Sequence, residues 1–151
     1  DPNVRLKLWS KLEARTTLMD IAKECDIVLP GLEEGCLMTG EKTPEQIAVK
    51  LLGKRTKIVA IKLGEKGAYY KTENLEGYVS AIPIKEIIDP IGAGDGFAAG
   101  FVSGLLRGWG CREAVELGNR VGAFALTVVG DVEGYPSWTQ VNPQETEEIL
   151  R

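Results

Sequence analysis

The sequence contains no histidine. That single absence excludes Ser-His and Cys-His catalysis, histidine metal sites and a histidine pH switch. Cysteine is scarce. Cys25, Cys36 and Cys111 are odd in number, far apart and without CxxC spacing. They read as reduced thiols of a cytosolic, cytoplasmic protein and not as a disulfide frame. No apolar run approaches the ~20 residues that cross a bilayer, and no apolar N-terminal stretch resembles a signal peptide. No membrane partner is therefore expected. Positive charge is not in excess either: the net charge is −4, which argues against a nucleic-acid partner. An initiating methionine is missing as well. The chain opens Asp1-Pro2-Asn3-Val4-Arg5, which reads as a cut from a longer chain.

What is present has the balance of a soluble globular domain. The 151 residues are 44% hydrophobic and 26% charged, enough for one domain or two small ones. Leu8, Leu12, Arg15, Leu18, Met19 and Ala22 recur at helical spacing and predict a helix over about 10–25. Asp26 to Pro30 reads as a short buried strand, followed by a helix over 32–39 that Gly40 stops. Thr43-Pro44-Glu45-Gln46 is a capping box with proline at the first helical position, and a helix to about Leu52 follows. Lys57 to Leu63 is nearly continuous in apolar residues, as in a central parallel strand. Residues 68–71 and 77–82 predict a hairpin, and Ile84 to Ile88 a further extended piece. Helices are predicted over 96–106, 111–129 and, capped by Asn142-Pro143, to about Leu150. This order is α/β. Trp9, Trp109 and Trp138 lie far apart along the chain and read as separate packing residues.

Glycine is abundant, with 18 residues, and its densest cluster carries chemistry. Gly92-Ala93-Gly94-Asp95-Gly96 lies between an extended segment and a predicted helix. Glycines let backbone amides turn toward a bound anion without Cβ interference. The helix beginning there aims its unpaired amides and positive dipole end at the same place. Asp95 sits beside that cradle. It can cap the helix, or it can take a proton from a hydroxyl that attacks a phosphoryl group.

The run from Asp89 to Phe101 closely resembles the C-terminal signature of the ribokinase-like (PfkB) carbohydrate kinases. The resemblance extends along the chain. Asp1 to Arg5, Leu29 to Gly35, Thr39 to Glu45, Ala60 to Tyr69, Gly118-Asn119 and Gly130 to Pro136 are similar to the 2-keto-3-deoxygluconate kinase branch of that family. It implies the C-terminal half of a ribokinase-like doubly wound (Rossmann-like) sheet with helices on both faces. Residues 1–151 would be the nucleotide-binding, catalytic part, without the N-terminal sugar-binding part and lid.

The cofactors so implied are ATP and Mg²⁺, and the partner is a small-molecule sugar acid. Asp95 would be the base, and the Gly92, Ala93 and Gly94 amides would hold the developing phosphoryl charge. Arg5 would bind the substrate carboxylate, with Asp131 also on the sugar acid. Asn3, Lys62, Gly64, Gly67 and Asn119 would lie on the ATP side. Glu34 would reach Mg²⁺ through water, with Gly31 at the asparagine position of the family's Asn-x-x-Glu. The implied reaction is phosphorylation of 2-keto-3-deoxygluconate to its 6-phosphate. Fructokinase or another sugar kinase of the family is the alternative acceptor reading. The isolated 151 residues are expected to bind nucleotide without turnover of their own. Their exposed apolar edges are expected to favour a homo-oligomer.

Overall fold

A computed structural model describes residues 1–141, and the helix expected to run from Asn142 to Leu150 lies outside them. The chain divides into two compact units, Asp1–Val79 and Ser80–Arg151.

The first unit holds helices α1 (Lys11–Lys23), α2 (Leu32–Thr39) and α3 (Pro44–Leu51), with strands β1 (Ile27–Val28), β2 (Ile58–Lys62), β3 (Ala68–Lys71) and β4 (Glu76–Val79). Each helix starts on a chemically legible cap. Ser10 and Glu13 form a reciprocal capping box on α1. The Thr43 hydroxyl accepts the Gln46 amide at the head of α3, where Pro44 supplies a preset φ. Gly40 ends α2 at φ +81°.

The sheet runs β1-β2-β3-β4. Strand β2 pairs parallel with β1, in register Ile27 to Ile58, and antiparallel with β3, in register Ile61 to Tyr69. β3 and β4 form the expected hairpin. The three helices cover the sheet face carrying Val28, Val59, Ile61 and Tyr69, with Met38, Ile47 and Leu51 between. Each such fully buried aliphatic side chain contributes about 1.5–3 kcal/mol.

Helix α1 buries Ala14, Leu18 and Ala22, while Leu8 and Leu12 are 82% and 74% exposed. The buried residues fall at i, i+4 and i+8, which is one face of the helix.

The second unit is built on α4 (Ala93–Leu106) and α5 (Cys111–Ala125), with a short α6 (Trp138–Val141). α4 and α5 run antiparallel with their backbones in near contact. A Cβ on Gly100 would stand 2.8 Å from the Leu117 carbonyl, and one on Gly118 would stand 2.9 Å from the Phe97 carbonyl. Residues 84–88, expected to be extended, join no strand among the described residues, and the Ile88 amide donates to the Leu126 carbonyl just beyond α5. α5 ends at Ala125 and not at Val129. The β-branched run Thr127-Val128-Val129 disfavours continuation.

Trp109 and Trp138, read as separate, pack with ring centroids 5.8 Å apart, and the Arg107 guanidinium lies 3.8 Å over Trp138. All three cysteines are free thiols. Burial, with Glu113 nearby, pushes the Cys111 thiol up to about 11, so it is not an activated nucleophile. Among the described residues no helix is long and apolar enough to cross a membrane.

Candidate active site at the glycine loop

The loop is built by Asp89. Its Oδ1 accepts the Ile91 amide at 3.0 Å, closing an Asx turn, and its Oδ2 accepts the Gly130 amide at 3.3 Å. The chain then enters the left-handed region at Gly92, φ +78°, and Gly92 is the N-cap of α4. The helix therefore starts at Ala93, three residues before the predicted Gly96. The cap position open to Asp95 is thus filled by another residue. The cap is a glycine, and Asp95 is the third helical residue, in the first turn. Its side chain is exposed and bonds no described residue. Beside it the amides of Ala93, Gly94 and Asp95 have no intrahelical acceptor, as at any helix start. A carboxylate and three free N–H groups share one helical turn.

The segment 130–135 closes over this turn. A Cβ on Gly92 would overlap the Asp131 carbonyl and stand 2.7 Å from the Asp131 Oδ1. The structure thus brings Asp131 to the loop. Tyr135 Oη donates to the Gly92 carbonyl at 2.8 Å. Burial raises the Tyr135 phenol above its usual range, and the neighbouring Asp95 and Asp131 carboxylates add to the rise. Neither Asp89 nor Tyr135 stood among the candidate site residues. Their signal was present only as membership in the resembling segments 89–101 and 130–136.

Asn119, on α5 of the same unit, donates from Nδ2 to the Ser80 carbonyl at 3.1 Å. That bond anchors the start of the irregular segment.

The remaining candidates belong to the first unit. Residues 1–4 lie along Glu34 and Lys62. Lys62 forms an ion pair with Asp1. Asn3 has φ +45° and bonds its amide to Asp1 Oδ1 at 3.3 Å, an Asx turn. Arg5 is exposed, and its guanidinium hydrogen-bonds the Val4 carbonyl at 3.4 Å. Gly64 and Gly67 bracket a 3₁₀ turn, and the Gly67 amide bonds the Gly64 carbonyl.

Glu34 is held by backbone. Its Oε2 accepts the Gly31 amide at 2.7 Å and its Oε1 accepts the Val4 amide at 2.8 Å. Each oxygen keeps a second lone pair, which suits contact through water. No cluster of three metal-binding side chains exists among the described residues. The remaining lone pairs of Glu34 fit a Mg²⁺ that keeps its waters.

The chain matches the family model described as pfkB family carbohydrate kinase over residues 1–138. It is 46% identical over 138 residues to a 2-dehydro-3-deoxygluconokinase of Bacillus subtilis (strain 168), covering 91% of this chain and 43% of that protein. Among solved structures it is similar to a PfkB protein from Polaromonas sp. JS666, with TM-score 0.74 and 42% identity, over 85% of this chain and 42% of the other. A putative ribokinase II from E. coli, solved in complex with ATP and Mg²⁺, gives TM-score 0.84 at 30% identity, over 100% of this chain and 48% of that one. The α/β, ribokinase-like fold implied by the resemblance is the fold found. The chain spans less than half the length of these relatives.

Proposed function

The chain belongs to the pfkB family of carbohydrate kinases, and from that premise we propose that its glycine loop holds the phosphates of ATP while a sugar-acid hydroxyl attacks the γ-phosphorus. The observation that carries the reading is the free Asp95 carboxylate in the same helical turn as the free amides of Ala93, Gly94 and Asp95. In the proposed step the hydroxyl oxygen forms a bond to phosphorus as the bond to the ADP oxygen breaks. Asp95 takes the hydroxyl proton. The Gly92, Ala93 and Gly94 amides hold the charge on the transferring phosphoryl oxygens. One such donor is worth about 2.7–4 kcal/mol of barrier. Mg²⁺, when bound, neutralises phosphate charge, and Glu34 would orient its waters.

The acceptor we propose is 2-keto-3-deoxygluconate, the sugar acid of the Bacillus subtilis relative's name, giving the 6-phosphate. Arg5 would fork onto its carboxylate, since a guanidinium matches a carboxylate in two parallel bonds. Asp131 would accept from its hydroxyls. Asn3, Lys62, Gly64, Gly67 and Asn119 would serve the nucleotide. In this reading the 151 residues are the nucleotide-binding, catalytic part of the kinase. Turnover by the isolated chain is not expected, because phosphoryl transfer by positioning needs both reactants held at once.

The test is acceptor profiling of the full-length protein. Preference for 2-keto-3-deoxygluconate over fructose is expected, and clear preference for fructose overturns the acceptor assignment. Arg5→Ala should raise the sugar-acid KM at least ~10-fold, the value of one charged hydrogen-bonded contact, and leave the KM for ATP nearly unchanged. A larger effect on ATP would remove Arg5 from the acceptor side.

A further inference from the structure

We propose that Tyr135 is a positioning residue whose hydroxyl aims the anion-facing amide of Ala93. The inference rests on the reading of the glycine loop as the phosphate site. Tyr135 Oη donates to the Gly92 carbonyl at 2.8 Å, and the Gly96 amide donates to the same carbonyl at 2.8 Å. The Gly92 carbonyl and the Ala93 N–H belong to one planar trans peptide, so they point in opposite directions. Fixing the carbonyl on two donors fixes the direction of the N–H. That N–H bonds no described residue.

The ring that carries the hydroxyl is itself seated. Gly96 leaves room for it: a Cβ there would stand 3.1 Å from Tyr135 Cε1. The Tyr135 amide bonds the Val132 carbonyl at 3.0 Å, which holds the turn that delivers the ring. Gly92 has a left-handed backbone and no side chain to restrain it. An outside donor on its carbonyl therefore supplies the restraint that α4 alone gives only through Gly96.

Tyr135→Phe removes the hydroxyl and keeps the ring against Gly96. In the full-length protein, assayed with MgATP and the acceptor it uses best, it should lower kcat by roughly 3- to 10-fold, the size of one neutral hydrogen bond. Both KM values should stay within about twofold, because one amide of several holds the ground-state phosphates while its bond strengthens most as charge develops on the transferring phosphoryl oxygens. A purely structural role would lower the melting temperature without that kcat-against-KM split. Asp95→Asn is measured alongside. If it loses turnover while Tyr135→Phe keeps wild-type kcat, the positioning role is overturned and the loop reading stands. If Asp95→Asn keeps turnover, the loop reading fails and the positioning role falls with it.

Discussion

Asparagine in place of Asp95 lowers kcat of the full-length protein by at least ~100-fold, the lower range of general-base loss, and leaves ATP affinity nearly unchanged. The substitution is nearly isosteric and removes the proton acceptor together with its negative charge. The structure makes it a clean experiment. The Asp95 side chain is exposed and bonds no described residue, so no network collapses with it. Its one structural contribution is the interaction of a carboxylate with the positive end of α4, worth about 0.3–1 kcal/mol. The melting temperature should therefore hardly move. The amides of Ala93, Gly94 and Asp95 remain in place, so phosphate binding persists. Steady-state kinetics with calorimetric ATP titration checks both halves. Turnover close to wild type would remove Asp95 as the base.

Alanine in place of Gly92 lowers both stability and turnover, because it strikes the hinge on which α4 begins. A left-handed backbone costs a residue with a Cβ about 1–2 kcal/mol. At Gly92 the Cβ would also overlap the Asp131 carbonyl. That neighbour is backbone and cannot rotate aside. Either the segment 130–135 moves, or the Gly92 peptide turns over. Turning it over takes the carbonyl from the Gly96 amide and from Tyr135 together. We expect a stability loss of at least ~2 kcal/mol, since strain and overpacking add. Turnover should fall at least ~100-fold, the value of a lost oxyanion donor. Gly108→Ala is the internal comparison. Gly108 also has positive φ, +78°, but nothing lies within 4 Å of its Cβ position. It should show the strain alone. Scanning fluorimetry and kinetics on both variants measure the difference. Equal effects at the two positions would contradict the account.

The elements read correctly in the sequence were those whose signals are local. Gly40 ends α2 because only glycine takes φ +81° cheaply. Thr43-Pro44 begins α3, and the continuous apolar run of β2 is the buried, central strand it suggested. The misplaced helix ends have a different cause. α5 stops at Ala125 and not at Val129, and the Leu126 carbonyl just beyond it accepts the Ile88 amide, a partner distant in sequence. The start of α4 was read at Gly96 because glycine and aspartate look like loop residues. In the structure Gly94 and Asp95 are already helical, and the cap is a left-handed glycine.

The same division holds at the site. Gly92 to Asp95 could be proposed from the sequence because loop and carboxylate are contiguous in it. Tyr135 was not, because its partner lies 43 residues away and the bond uses a backbone carbonyl. No side-chain pattern advertises such a contact. The pairing of Trp109 with Trp138 was hidden for the same reason.

The central claim, that the loop at the head of α4 is the phosphate cradle, is tested most directly by calorimetric titration of MgATP into the full-length protein and its Gly94→Val variant. The variant puts a branched side chain where the second helical amide must meet an anion, and it leaves Asp95 in place. The account predicts saturable binding by the wild type and its loss in Gly94→Val. Binding of equal affinity in the two proteins would contradict it.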